Sequence, residues 1–374
     1  MTRQLRIVHV IHALGPGGAE HTLVDLAREA PDHSIDLHVV SLMDFGAHPY
    51  PRQLRALGAG VHSLGLPSRW DPRSLGRGLR LVRDLEPDAV HSHLKHADLV
   101  AAWVAWRLDL PMISTLHVIE SAPTTVGRVK RLMAGQARLR IASRTVAVSE
   151  ALRCWYLETF NADPARVVRI PNGVHRPALL ADRTTVRESL GVRHDAIVAT
   201  MVGIMRPDKG HQQLIAAVAQ LQSGADVQFV LLGDGPLRSE FEAQAVDLGL
   251  TSDRLIFAGF REDVPDVLAA SDLVVHPSLD DALPTALLHA LGAGTPVVAS
   301  DTGGIPEIID SEVGMLVPPG QVDELVAALQ ELIELLPSPT MTAAAKARFE
   351  NEFAASIWAS RLRNLYEEVV AERS

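Results

Sequence analysis

Short apolar runs recur along the chain, and each is followed by a longer stretch with helical spacing. Ile7–Ile11 leads through a glycine-rich turn into a helical pattern over about 19–30. Leu37–Leu42, Ala89–His91, Met112–Thr115 and Thr145–Val148 repeat the theme, and it restarts with Ile197–Val202, Phe229–Leu232, Leu255–Phe257, Leu273–His276 and Pro296–Ala299. Unbroken apolar strands alternating with helices predict an α/β chain whose parallel sheets are covered on both faces. Ligands of such sheets bind beyond the carboxyl ends of the strands. PNGVHRPALLAD, Pro171–Asp182, interrupts the alternation with two prolines and a glycine and reads as a linker between two doubly wound domains. From about Met341 the tail is helical, with Trp358, Leu362, Leu365 and Tyr366 on an apolar stripe. The expected division is 1–176, 177–355 and a terminal helix over 356–374.

The 374 residues suffice for two such domains. A net charge of −10 argues against a nucleic-acid grip, which depends on clustered Lys and Arg neutralising phosphates. One cysteine, Cys154, excludes an internal disulfide framework and suits a reducing compartment. The apolar stretch in MTRQLRIVHVIHALGPGG is too short for a signal peptide, and no run reaches the ~20 apolar residues of a membrane span. A soluble, cytoplasmic protein is expected.

Several strand-to-helix turns carry candidate chemistry. GPGGAE, Gly15–Glu20, offers either a tight turn or a close backbone approach to an anion, and its spacing is not the GxGxxG of a dinucleotide site. VGIMRPDKGH, Val202–His211, places Arg206 and Lys209 where two cations can clamp a diphosphate. LLGDGPLR follows another strand and on its own reads as structural. In SLDDALPTALLHALGAGTPVVASDTGG, Ser278–Gly304, Pro284 suits a first helical turn that Asp280 or Asp281 caps. The N–H groups around Ala282, Leu283, Pro284, Thr285 and Ala286 then form an anion cradle. His289 lies two turns past Asp281, on broadly the same side of that helix.

Two other stretches stay open between a plain and a functional reading. HSHLKHAD puts His93, Lys95 and His96 after a strand, and acceptor contact there is preferred over metal binding because no Cys or carboxylate geometry supports a metal. VGRVKRLMAGQARLR, Val126–Arg140, is a basic amphipathic stretch, either a solvated helix face or a contact with an anionic membrane or a phosphorylated acceptor.

The segments GGAE, STLH, VAVSEALR, IPNGV, RPDKGH, LLGDGP, FAGF and SLDDALPTALLHALGAGTPVVASDTGGIPEII stand in the order seen in glycosyltransferase family 4. The resemblance covers almost the whole chain. It implies a GT-B fold with two Rossmann-like domains facing across a cleft and the C-terminal helix returning to the first. It also implies a retaining transfer from a nucleotide diphosphate sugar, UDP favoured, to a glycan, lipid or small-molecule acceptor, with no cofactor and no metal. The first domain would take the acceptor and the second the donor. By position, Lys209 and Arg206 would hold the diphosphate, assisted by Ala282–Ala286 and by Gly17 and Gly18. Gly233, Gly259 and Phe260 would flank the base, and His117 would stand near the transferred sugar.

Two positions depart from the family pattern. The family has two glutamates where this chain has Asp281, toward the sugar, and His289, toward the ribose. The family arginine falls on Ile204, with Arg206 two residues later. A neutral imidazole offers one acceptor nitrogen where a carboxylate accepts from both ribose hydroxyls. A sugar-nucleotide epimerase or hydrolase, or a partner protein with impaired catalysis, are the alternatives to a transferase.

Overall fold

The computed structural model describes residues 3–15, 17–46, 48–68, 71–119, 124–176, 180–222 and 224–373, apart from the Lys95 side chain. The chain divides into two compact units. One runs to His175 and resumes at Ala355, and the other is Arg176–Ala354.

The first unit contains a seven-stranded parallel sheet in the order β3-β2-β1-β4-β5-β6-β7. Its strands are β1 Leu5–Ile11, β2 Ile35–Met43, β3 Gly60–Leu66, β4 Ala89–His93, β5 Met112–Leu116, β6 Arg144–Ala147 and β7 Val167–Arg169. The helices between them are α1 Gly18–Glu29, α2 Tyr50–Ala56, α3 Arg73–Leu85, α4 Lys95–Leu108, α5 Thr125–Ile141 and α6 Glu150–Phe160. The order reverses between β1 and β4, so the loops after these strands diverge and leave a crevice at their carboxyl ends.

In the second unit α7 Arg183–Leu190 is followed by six parallel strands in the order β10-β9-β8-β11-β12-β13. These are β8 Ile197–Val202, β9 Val227–Leu232, β10 Leu255–Gly259, β11 Leu273–His276, β12 Val297–Ser300 and β13 Gly314–Val317. Its other helices are α8 His211–Gln220, α9 Arg238–Asp247, α10 Val264–Ala270, α11 Thr285–Ala293, α12 Val322–Glu334 and α13 Pro339–Arg348. Here the order reverses between β8 and β11.

Strand period explains the two cores of each sheet. In β1, Ile7 and Ile11 join one cluster with α1, while Val8 and Val10 join the cluster under α4. The last helix, α14 Ala355–Ala371, completes the first of these. Trp358, Leu362, Leu365 and Tyr366 are buried there against α1 and the sheet. Arg144 pairs with Glu368 and Glu372 at the far end of α14. In the second unit one cluster gathers α8 and α12, and the other gathers α7 and α10.

The basic stretch forms α5, capped by Thr124, whose hydroxyl accepts from Gly127 N at 3.0 Å. Val126, Val129, Leu132 and Met133 are exposed along it. Arg138 does not belong to a solvated face. It is buried, donates to Asp98 at 3.1 Å, and Asp98 also accepts from Ser92 and Ser114. No helix among the described residues is long and apolar enough to cross a membrane.

Candidate active site

In the second unit, the loops at the carboxyl ends of the strands are joined backbone to backbone. Gly233 N donates to Gly259 O at 2.8 Å, linking the ends of β9 and β10. Gly203 N donates to Leu232 O and Met205 N to Asp234 O, each at 3.0 Å, which ties β8 to β9. Asp208 O accepts from Leu279 N at 2.8 Å and from Ser278 Oγ at 3.0 Å, which ties β8 to β11. Asp281 O accepts from Gly304 N at 3.0 Å, which reaches the loop after β12. The loops of five strands are thus stitched by main-chain groups, whose pairing does not depend on side-chain identity.

Two glycines make this approach achievable. Gly210 has φ +79° and a side-chain carbon there would lie 1.9 Å from Pro277 O; Gly303 has φ +54° and would bring one to 2.0 Å from Asp281 O. Both are left-handed conformations as well as contacts that no larger residue tolerates.

Across the β8/β11 switch point this belt presents an ion pair. Lys209, at the end of the 3-10 turn Pro207–Lys209, donates from Nζ to Asp281 Oδ2 at 2.5 Å. His276, the last residue of β11, meets the same oxygen through Nε2 at 3.2 Å. Only 16% of the lysine side chain and 14% of the aspartate are exposed. Burial opposes ionisation of Asp281, but the His276 hydrogen bond and the Lys209 charge outweigh it and hold its pKa at about 2. Arg206 is half exposed and bonds Asp208 at 3.1 Å, and Ile204 is exposed nearby in the chain. Phe260, just past β10, leaves 63% of its surface exposed.

The capping expectation for the next helix does not hold. Pro284 itself occupies the N-cap of α11, no side chain caps it, and Asp281 is committed to Lys209 and His276. The N–H groups of Thr285 and Ala286 open the helix, and Pro284 has none to give. His289 is half buried and lines a cavity of about 340 Å³ with Arg176, Pro265, Ala269, Gly292, Ala293, Lys346 and Phe349. Neither Asp281 nor its partners line that cavity, so the two ends of the motif have different surroundings.

In the first unit, Gly17 is the extended N-cap of α1 and Gly18 its first residue. The acceptor-loop reading of His93 is corrected: it ends strand β4, is buried, and has no surface to offer a ligand. His93 Nδ1 lies 2.8 Å from Nε2 of His117, which follows β5 and is half buried. His96 is in the first turn of α4 beside the His12 ring, with centroids 5.9 Å apart. The Lys95 side chain lies outside the described residues.

Sequence reasoning missed His9, His276 and Tyr366 as polar members of these sites. His9 and His91 are register partners on β1 and β4, and His93 and Thr115 are partners on β4 and β5. Period two puts all four on the face covered by α14, where Tyr366 meets His9 and His91. Burial, with the neighbouring imidazoles adding to it for His91 and His93, depresses all four histidine pKa values. His9 falls to about 3 and His117 to about 4. His9, His91 and His93 each bring a ligand atom within 4.8 Å of the others. Every ring nitrogen of the three is already engaged, by another histidine, Tyr366 or Thr115.

Residues 182–348 match the family model described as glycosyl transferases group 1, and 16–176 match glycosyltransferase family 4. A 2-deoxystreptamine glucosyltransferase of Streptomyces kanamyceticus is 30% identical over 76% of this chain and 78% of its own. An Escherichia coli UDP-Gal:alpha-D-GlcNAc-diphosphoundecaprenol alpha-1,3-galactosyltransferase is 25% identical over 81% of each chain. Among solved structures, Anabaena HepE in complex with UDP and glucose superposes with a TM-score of 0.85 at 25% identity, covering 98% of this chain and all of that one. With two parallel-sheet Rossmann-like units and these relatives, the chain belongs to glycosyltransferase family 4, a transferase of the GT-B type.

Proposed function

We propose that this chain is a retaining glycosyltransferase that moves a hexose or N-acetylhexosamine from a UDP-sugar to a glycan, lipid or small-metabolite acceptor, without a metal. The observation that carries the reading is the Lys209–Asp281 pair at the β8/β11 switch point, on loops stitched by main-chain hydrogen bonds. A mostly buried lysine, three residues after the half-exposed Arg206, supplies charge where a diphosphate leaves. The bond from the anomeric carbon to the phosphate oxygen breaks and UDP departs with its electron pair. The acceptor oxygen bonds to that carbon on the same face and gives its proton to the departing diphosphate oxygen.

Within this reading Asp281 addresses the sugar, and the N–H groups of Ala282, Leu283, Thr285 and Ala286 cradle the phosphates. Gly233, Gly259 and the exposed Phe260 flank the base, and His289 faces the ribose. The first unit takes the acceptor, and Gly17, Gly18 and His117 are its candidate site residues. The UDP in the HepE complex and the UDP-galactose in the name of the Escherichia coli relative favour UDP as the nucleotide.

The test incubates the full chain with UDP-, GDP- and ADP-sugars, with EDTA, in the presence and absence of glycan, lipid and small-molecule acceptors. Acceptor-dependent release of UDP, with a product whose anomeric configuration matches the donor by NMR, is expected. Release at the same rate without acceptor would indicate a hydrolase or epimerase, and no release with any donor an impaired partner.

A further inference from the structure

The buried histidines of the first unit form one unbranched hydrogen-bonded chain whose two ends differ. Thr115 Oγ1 lies 2.7 Å from His91 Nε2, and His91 Nδ1 lies 2.8 Å from the Tyr366 hydroxyl. That hydroxyl is 3.2 Å from His9 Nε2; His9 Nδ1 is 2.8 Å from His93 Nε2, and His93 Nδ1 is 2.8 Å from His117 Nε2. His9, His91 and His93 are buried; His117 is the partly exposed end.

A neutral imidazole has one donor and one acceptor nitrogen, so each ring must accept on one side and donate on the other. The chain therefore has two self-consistent polarities, and fixing one proton fixes the others. The inner end decides between them. Thr115 is buried, and its hydroxyl has no hydrogen-bond partner other than His91 among the described residues. If His91 donated to it, the threonine proton would be left without an acceptor, a buried loss that the opposite polarity avoids. Thr115 therefore donates to His91, which donates to Tyr366, and so outward to His117.

We propose that Tyr366 and His93 are positioning residues that hold His117 as its Nδ1–H tautomer, so that its outer nitrogen is a hydrogen-bond donor to a substrate oxygen and never a base. The proposal rests on the reading of His117 as a group that serves transfer. All four imidazoles stay neutral at ordinary pH because burial lowers their pKa values. Tautomer, and not charge, is then the property the chain controls. Through Tyr366 this setting depends on the docking of α14.

The full chain with 15N-labelled histidine rings, read at neutral pH by long-range proton–nitrogen correlation, tests the assignment without requiring turnover. His9, His91, His93 and His117 are each expected to carry the proton on Nδ1 and none on Nε2. A proton on Nε2 of His117, or averaged signals, overturns the proposal. So does stoichiometric zinc in the purified chain, since a coordinated nitrogen cannot accept a hydrogen bond. Tyr366→Phe cuts the chain at its middle, and His117 is then expected to sample both tautomers while UDP affinity is kept. Turnover with a UDP-sugar should fall about fivefold to tenfold, the worth of roughly one hydrogen bond. Thr115→Val removes the inner donor without touching α14 and should move the same His117 signals. If neither variant moves them, Tyr366 and Thr115 are merely packed there. Absence of turnover in the wild type would refute the transferase reading and leave the tautomer result standing on its own.

Discussion

Replacing Asp281 by Asn removes the anion that occupies Lys209 while keeping the side chain's size. In the present structure the lysine is not waiting for phosphate; its ammonium is bonded to Asp281 at 2.5 Å. A bound diphosphate must share that charge with the carboxylate or displace it. A charge-assisted hydrogen bond is worth about 1.5–3 kcal/mol, so releasing Lys209 should tighten UDP binding about tenfold to a hundredfold. Uridine, without phosphates, should bind as before, and turnover should fall because the sugar loses its carboxylate partner. The same change should cost stability. Lowering the Asp281 pKa from 3.8 to about 2 contributes about 2 kcal/mol at neutral pH, since each tenfold change in proton affinity is worth about 1.4 kcal/mol. Because the folded pKa is the lower one, this stabilisation is present above about pH 4 and lost as pH falls toward 2. The variant should therefore melt about 4–8 °C lower at pH 7, with the gap closing in that acid window. Calorimetric titration with UDP and uridine, alongside thermal denaturation at several pH values, measures both. Unchanged or weaker UDP binding, or an equal gain for uridine, would refute the idea that Asp281 competes with phosphate for Lys209.

Gly303→Ala should displace the Asp281 carbonyl, because the left-handed backbone alone costs about 1–2 kcal/mol and the new carbon would sit 2.0 Å from that oxygen. UDP affinity should drop about tenfold or more, whereas Gly76→Ala, with open space around it, should leave it unchanged; equal behaviour of the two would sever the loop belt from donor binding. His289→Ala should weaken UDP by about 1–2 kcal/mol through a lost ribose hydrogen bond, spare inorganic pyrophosphate, and be reversed by His289→Glu. Identical UDP affinity in all three forms would leave His289 as a wall of its cavity and nothing more.

The readable part of the fold was its interior. β1, β4, β5, β8, β9 and β11 are paired on both sides and almost wholly buried, so apolar residues dominate most of their sequences. The strands that the pattern did not reveal, β3, β7 and β13, are all at sheet edges. β3, GVHSLGL, is half exposed over most of its length, and β7 has three residues. Neither has a face-to-face burial demand strong enough to write itself as hydrophobicity. In the site, Lys209 and Asp281 were legible because glycines and charges cluster at strand ends. His276, a strand-terminal residue inside an apolar run, gave no such cue. His9 lies between Val8 and Val10, and only the β1–β4 register makes it the neighbour of His91. Likewise Arg138 belongs by sequence to a basic helix face, and only the packing of α5 on α4 brings it to Asp98.

The departures at positions 281 and 289 bear on whether the second unit still does chemistry. Replacing a buried ion pair by apolar residues of similar volume is often neutral or stabilising, because two charges must otherwise be taken out of water. The loops around Lys209 and Asp281 do not need that pair to stay together, since main-chain hydrogen bonds already join them from Gly259 to Gly304. A unit kept only as a folded scaffold could reach comparable stability with apolar residues of similar volume, without holding a lysine and an aspartate at 2.5 Å with about six-sevenths of each out of solvent. Nor does it need His276 aimed at the same oxygen from the end of β11. Aspartate is one methylene shorter than glutamate, and here His276 and Lys209 meet the shorter side chain where it ends. The cluster is built around an aspartate, so the shorter side chain at position 281 keeps both a cationic and an imidazole partner.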